Sequence, residues 1–108
     1  MSELPRPFRR FQERYPALEK LHAELSRSLD NTGPLDARSR RLVHLGIAVG
    51  QQSYGGVKSH ARRALEEGFR PEELRQAALL AMTTAGFPST IAALEWIEEV
   101  FQESGGKP

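Results

Sequence analysis

The stretch LDARSRRLVHLGIAVG, residues 35–50, decides the fold. From Leu42 to Gly50 it is apolar nearly all round, and its β-branched Val43, Ile47 and Val49 offer a buried strand as the competing reading. What precedes them favours a helix already under way: Asp36 stands where an N-cap belongs, and the following Ala-Arg-Ser-Arg-Arg has no strand character. The segment therefore reads as the central buried helix of an all-α protein. Its alanine and two glycines permit close backbone approach to neighbours.

Downstream, "GQQSYGG" separates this helix from a second over residues 57–67, stopped by Gly68. Arg70-Pro71-Glu72-Glu73 opens the next, with proline and two acids in its first turn, and it runs through "LRQAALLAMTTAG". Gly86-Phe87-Pro88 breaks it, and a final amphipathic helix carries Ile91, Leu94, Ile97, Val100 and Phe101, with Trp96 alongside. Upstream, Leu18, Leu21, Leu25 and Leu29 keep to one face of a helix that starts at Pro16, with Glu19, Lys20, Glu24 and Arg27 opposite. A turn cluster follows at residues 30–34. Residues 1–15 read as an N-terminal arm or short helix: prolines extend Leu4-Pro5-Arg6-Pro7, and Phe8, Phe11 and Tyr15 then recur at helical spacing. The expected architecture is a bundle of five or six helices over residues 16–103, with a disordered tail at 104–108. The helices around Ile47 and Leu79 are too apolar for surface positions, so they form the core pair or face another subunit.

Composition narrows the chemistry. A chain of 108 residues fits one small domain whose core is modest, which makes oligomerisation an expected support. Fifteen basic and fourteen acidic residues give a net charge of +1, too weak a field for binding nucleic acid by phosphate neutralisation. No secretory signal and no membrane span is legible, so a cytoplasmic protein is expected, without nucleic-acid or membrane partners. Cysteine is absent, which removes disulfides, thiolate nucleophiles and cysteine metal sites. His22, His44 and His60 lack metal-ligand spacing, and no metal or cofactor is expected.

The order of features in "LDARSRRLVHLGIAVG" and "SHARRALEEGFRPEELRQAALLAMTTAGFP", with its His-x-x-x-Ala-Leu-x-x-Gly, Pro-Glu-Glu and Gly-Phe-Pro elements, resembles the carboxymuconolactone decarboxylase family, which includes the AhpD-like alkylhydroperoxidases. The resemblance covers about residues 16–102. It implies an all-helical fold assembled as a homotrimer or homohexamer. In the redox-active branch a Cys-x-x-Cys-x-x-x-His motif reduces peroxide, with a glutamate on the preceding helix relaying protons. Laid on that motif without gaps, this sequence places Ser53 and Gly56 at the two cysteines, His60 at the histidine and Arg41 at the glutamate. A serine hydroxyl cannot cycle through sulfenic acid and disulfide, so thiol peroxidase activity survives only as a family label. The decarboxylase branch lacks the cysteine pair, keeps the histidine followed by arginine as in His60-Ala-Arg62, and works on a lactone acid without a cofactor.

The resulting expectation is a cofactor-independent decarboxylase or related lyase acting on a small carboxylated molecule. The alternative is an oligomeric small-molecule binding protein without catalysis. For decarboxylation, Arg41 or Arg62 would stabilise the developing enolate and His60 would protonate carbon, since an ordinary imidazole titrates near ~6.5. Ser53, Tyr54, Gly56 and His44 are the candidate ligand-binding residues. Each has a structural reading beside the functional one. Ser53 serves as an N-cap, Gly55 and Gly56 as turn residues, His60 as a backbone-bonded core group and His44 as a structural or subunit contact. Tyr54 gates a pocket or covers the core, Thr83 and Thr84 bond the preceding turn, and His22 faces solvent or an interface. Arg62 with Glu66 and Arg63 with Glu67 are spaced as i,i+4 surface pairs.

Overall fold

The computed structural model describes residues 6–104. It contains six α-helices: α1 (Arg6–Arg14), α2 (Pro16–Asp30), α3 (Ala37–Gly50), α4 (Tyr54–Glu66), α5 (Pro71–Leu79) and α6 (Phe87–Glu103), with a short 3-10 turn at Leu80–Thr83 between the last two. No strand occurs among the described residues. The chain divides into two compact units that part between Leu35 and Asp36. Most of the expected tail, from residue 105 on, lies outside the described residues, as do residues 1–5.

The first unit holds α1 and α2. Arg6 and Pro7 are already helical, not extended, because a helix tolerates proline in its first turn, where the missing N–H has no intrahelical partner. Pro16 plays the same part at the start of α2. The Phe11 and Tyr15 rings meet at 5.6 Å between centroids. The leucine face of α2, Leu18, Leu21, Leu25 and Leu29, is exposed along its whole length.

In the second unit Asp36 caps α3 by accepting the Ser39 backbone N–H at 2.8 Å. Leu45, Ala48 and Val49 turn inward, while Val43 and Ile47 remain exposed. The helix reading holds, but the helix is buried on one side only: it has a core face and an apolar outer face. A three-residue corner then reverses the chain, with Gln52 at a positive φ of 55° and its side-chain amide donating to Ser89 Oγ at 2.8 Å.

The next helix starts at Tyr54, three residues earlier than its hydrophobic pattern suggests, because Ser53 caps it. The Ser53 hydroxyl accepts the Gly56 backbone N–H at 3.0 Å, so Gly55 and Gly56 lie inside the first helical turn and not in a loop. Gly56 is required there for space: a Cβ would stand 2.7 Å from Ser53 Oγ and 3.2 Å from Ala48 Cβ. Val57, Ala61 and Ala64 then pack on Leu45 and Val49, and Leu74, Ala78, Ile97 and Val100 of α5 and α6 complete the core. The long apolar run after Pro71 ends as α5 and tightens into the 3-10 turn, leaving Leu79 and Leu80 exposed. Gly86, at φ 108°, takes a conformation that L side chains avoid and starts α6 one residue before Pro88.

Ser53→Ala is expected to cost about 1 kcal/mol. Gly56→Ala is expected to destabilise as well, despite the ~1 kcal/mol that alanine gains over glycine within a helix, because its methyl group expels the cap. The double variant should lose less than the sum of the two, since removing the hydroxyl relieves the closest contact. Urea denaturation of the three variants measures this.

Candidate active site at the α3–α4 hairpin

Helices α3 and α4 run antiparallel, and beyond the small-residue contact of Ala48 with Gly56 they bring His44 and Arg41 alongside His60. The His44 and His60 rings lie 5.3 Å apart, tilted by 37°. Arg41 Nη1 donates to His60 Nδ1 at 2.8 Å. On its other edge the same guanidinium donates from Nε to Glu67 Oε1 at 3.0 Å and from Nη2 to Glu67 Oε2 at 2.6 Å. Three of the five guanidinium N–H groups are thus committed to two residues of the neighbouring chain segment.

This geometry defines the protonation state of His60. A guanidinium has no acceptor, so Nδ1 must present its lone pair, and the hydrogen of the neutral ring sits on Nε2. Burial, followed by the charges of Arg41 and Arg63 and the nearby His44, pushes the pKa of His60 down to about 4, with Glu67 acting weakly the other way. Near neutral pH His60 is therefore an uncharged Nε2–H donor beside a cation. The expected role of an imidazolium that protonates carbon does not follow from this environment. Glu67 in turn is held below the ordinary carboxylate range, first by its hydrogen bonds from Arg41.

The other residues singled out in the sequence separate into different places. Arg62, two positions from His60, points to another face of α4, where its Nε donates to Glu103 at 3.1 Å. On that side Lys58, buried along its stem, reaches Glu103 at 2.7 Å and Glu99 at 3.2 Å. These bonds, chiefly the one to Glu103, hold its pKa above the usual range. Tyr54 stands edge-on to Trp96 with centroids 5.4 Å apart, and its hydroxyl donates to Glu99 at 3.0 Å. Tyr54 and Arg62 thus tie α4 to α6, because Glu99 and Glu103 offer the carboxylates that their helix face meets. Ser53 and Gly56 form the cap already described. Glu67 was read only as a surface partner of Arg63, and its tertiary partner is Arg41. The available signal was its place at the C-cap of α4, where a carboxylate opposes the helix dipole and gains from an outside cation.

A groove of about 420 Å³ lies elsewhere on this unit, lined mainly by small and apolar residues such as Leu42, Gly46, Ala77, Leu80 and Ala81. None of Arg41, His44 or His60 lines it. Among the described residues no group of three His, Asp or Glu side chains is arranged to hold a metal ion. No helix among them is long and apolar enough to cross a membrane.

Fold and site together describe an all-helical, cysteine-free scaffold carrying a histidine–arginine pair. The sequence profile of the carboxymuconolactone decarboxylase family matches residues 16–99, and the chain belongs to that family. It resembles the apo crystal structure of a carboxymuconolactone decarboxylase family protein from Legionella pneumophila, with a TM-score of 0.73, 26% identity and 87% of each chain covered. Over 60 residues it is 37% identical to the nitrosuccinic acid decarboxylase npaB of Metarhizium robertsii, an alignment covering 56% of this chain and 42% of that protein. The matched stretch is therefore less than half the length of that relative.

The depressed pKa of His60 carries a sign for stability. Below the ordinary value of 6.5 the unfolded chain takes up a proton that the folded one refuses until about pH 4. Unfolding is thereby favoured as the pH falls through this window. Thermal unfolding between pH 7 and 4 should show this loss, and His60→Gln should make the decline shallower.

Proposed function

We propose that this protein is a cofactor-independent decarboxylase, or a closely related lyase, acting on a small carboxylic acid at the Arg41–His60 pair. The contact that carries the proposal is the 2.8 Å hydrogen bond from Arg41 to His60 Nδ1, which leaves a neutral Nε2–H donor next to a guanidinium charge. Cofactor-free loss of CO₂ needs such a site. As the bond from the α-carbon to the carboxylate breaks, its electron pair moves into a conjugated acceptor, and negative charge develops on an enolate or nitronate oxygen. A donor and a cation placed there stabilise that oxygen in the transition state. Solvent then returns a proton to carbon. His60 thus serves as an electrophilic donor, with Arg41 beside it and Arg63 adding to the positive field.

Family membership and the nitrosuccinic acid decarboxylase relative support this reaction class. In nitrosuccinate the nitro group is the electron acceptor, and in a lactone acid the lactone carbonyl is. Both substrates are small polycarboxylate-like anions suited to a cationic site. The test is CO₂ release from nitrosuccinate and from carboxymuconolactone by the purified chain. His60→Ala and Arg41→Ala are each expected to lower kcat/KM by about 10²-fold or more, in the range of lost oxyanion donors. Binding without turnover, indifferent to His60→Ala, would favour the non-catalytic reading. One observation supports that second reading: the about 420 Å³ apolar groove lies apart from the histidine.

We further propose that the protein works as a homo-oligomer. The apolar outer faces support this: Ile47 is 53% exposed and Leu80 66% exposed, on elements whose other faces form the core. Light scattering should give a mass three or six times that of the 12.1 kDa chain. Ile47→Lys should lower that mass without unfolding the helices, as read by circular dichroism.

A further inference from the structure

We propose that Glu67 is a positioning residue for His60: by clamping the Arg41 guanidinium on two nitrogens it holds the third against His60 Nδ1, and so fixes the Nε2–H of the imidazole as the group offered to a ligand. This deepens the decarboxylase reading and takes from it only the assumption that His60 faces the ligand.

Three observations converge on this role. First, the Arg41–Glu67 contact is bidentate, through Nε and Nη2, which orients the whole plane of the guanidinium. A single bond would leave it free to pivot. Nη1 then has a fixed direction, and His60 Nδ1 lies along it at 2.8 Å. Second, the partners differ in freedom. The Arg41 side chain is only 15% exposed, whereas that of Glu67 is 43% exposed, so the carboxylate comes from the solvent side to a guanidinium already inserted between the helices. Third, the largest favourable interaction of Glu67 is with Arg41 of α3, ahead of Arg63 on its own helix. It sits at the C-cap of α4, where a negative charge faces the carbonyl ends, and its favourable partners are the cations around it.

The groups facing His60 from the packed elements are Arg41 and His44 of α3, together with Arg63 and Glu67 at the end of α4. The carboxylates of α6 that approach α4, Glu99 and Glu103, are engaged by Lys58 and Arg62 on another face. Glu73 of α5 is engaged by Arg38. Removing Glu67 therefore has two possible consequences of opposite sign. If Glu67 only balances charge, its loss leaves Arg41 in place and uncompensated, and His60 becomes still harder to protonate. If Glu67 positions Arg41, its loss lets the guanidinium swing away. His60 then loses both a donor to Nδ1 and its nearest cation, and becomes easier to protonate.

The experiment is an NMR pH titration of histidine-labelled protein, wild type against Glu67→Ala, with Glu67→Gln as the milder variant and Arg41→Ala as the reference for a lost guanidinium. The expected result is a rise of about one pH unit or more in the His60 midpoint for Glu67→Ala, in the same direction as for Arg41→Ala. Adding Glu67→Ala to Arg41→Ala should then produce little further change. An unchanged or lower midpoint in Glu67→Ala would overturn the proposal, as would an effect of Glu67→Ala that persists in full without Arg41. This readout needs no substrate. A wild-type protein inactive on every acid tested would count against the decarboxylase reading and leave the titration result standing.

Discussion

The close approach of α3 and α4 governs the rest of the molecule. At the point where Ala48 meets Gly56 a methyl group on α4 would crowd the cap hydroxyl of Ser53 at 2.7 Å and the Ala48 methyl at 3.2 Å. That contact fixes the antiparallel register of the hairpin. Moving away from the corner, one turn along each helix pairs His44 with His60, and the next brings Arg41 between His60 and Glu67. A polar constellation is thus assembled by an apolar, steric constraint several residues away.

The charges on α4 are partitioned by the helix itself. Lys58 and Arg62, four residues apart, share the face turned to α6 and are answered by Glu99 and Glu103. His60 lies on a different face, turned to α3, and meets a cation there. Cations on one side find carboxylates, while the imidazole on the other is half-buried against a guanidinium, and burial first and that cation second keep His60 neutral. An arginine at position 41 changes what the histidine can do. A carboxylate there would accept a hydrogen bond from the ring N–H and raise its basicity, whereas a guanidinium can only donate to it and lowers it.

Much of the helical framework was legible because its signals are local. Asp36 as a cap, Pro71 and the two following acids as a start, Gly68 and Gly86 as breaks, and the alternation of faces on α6 each act within a turn or two of the chain. The site was half legible. Of the candidate residues, His60 and Arg41 meet in the structure, whereas Arg62, two positions along the helix from His60, lies on another face and meets Glu103. Glu67 was paired with Arg63 on the spacing of an isolated helix, an interaction worth little beside a bidentate tertiary contact with a guanidinium between two helices.

By itself, then, the sequence determined the helices, the family pattern and the absence of thiol chemistry, since caps, periodicity and residue type are properties of the chain read in order. Tertiary structure alone decided which partners the charged groups found, which nitrogen of His60 holds its hydrogen, and that the apolar outer faces of α3 and the 3-10 turn stay outside the core of their unit. These depend on the register between helices distant in sequence. A shift of one turn there would leave every local signal intact and every one of those contacts different.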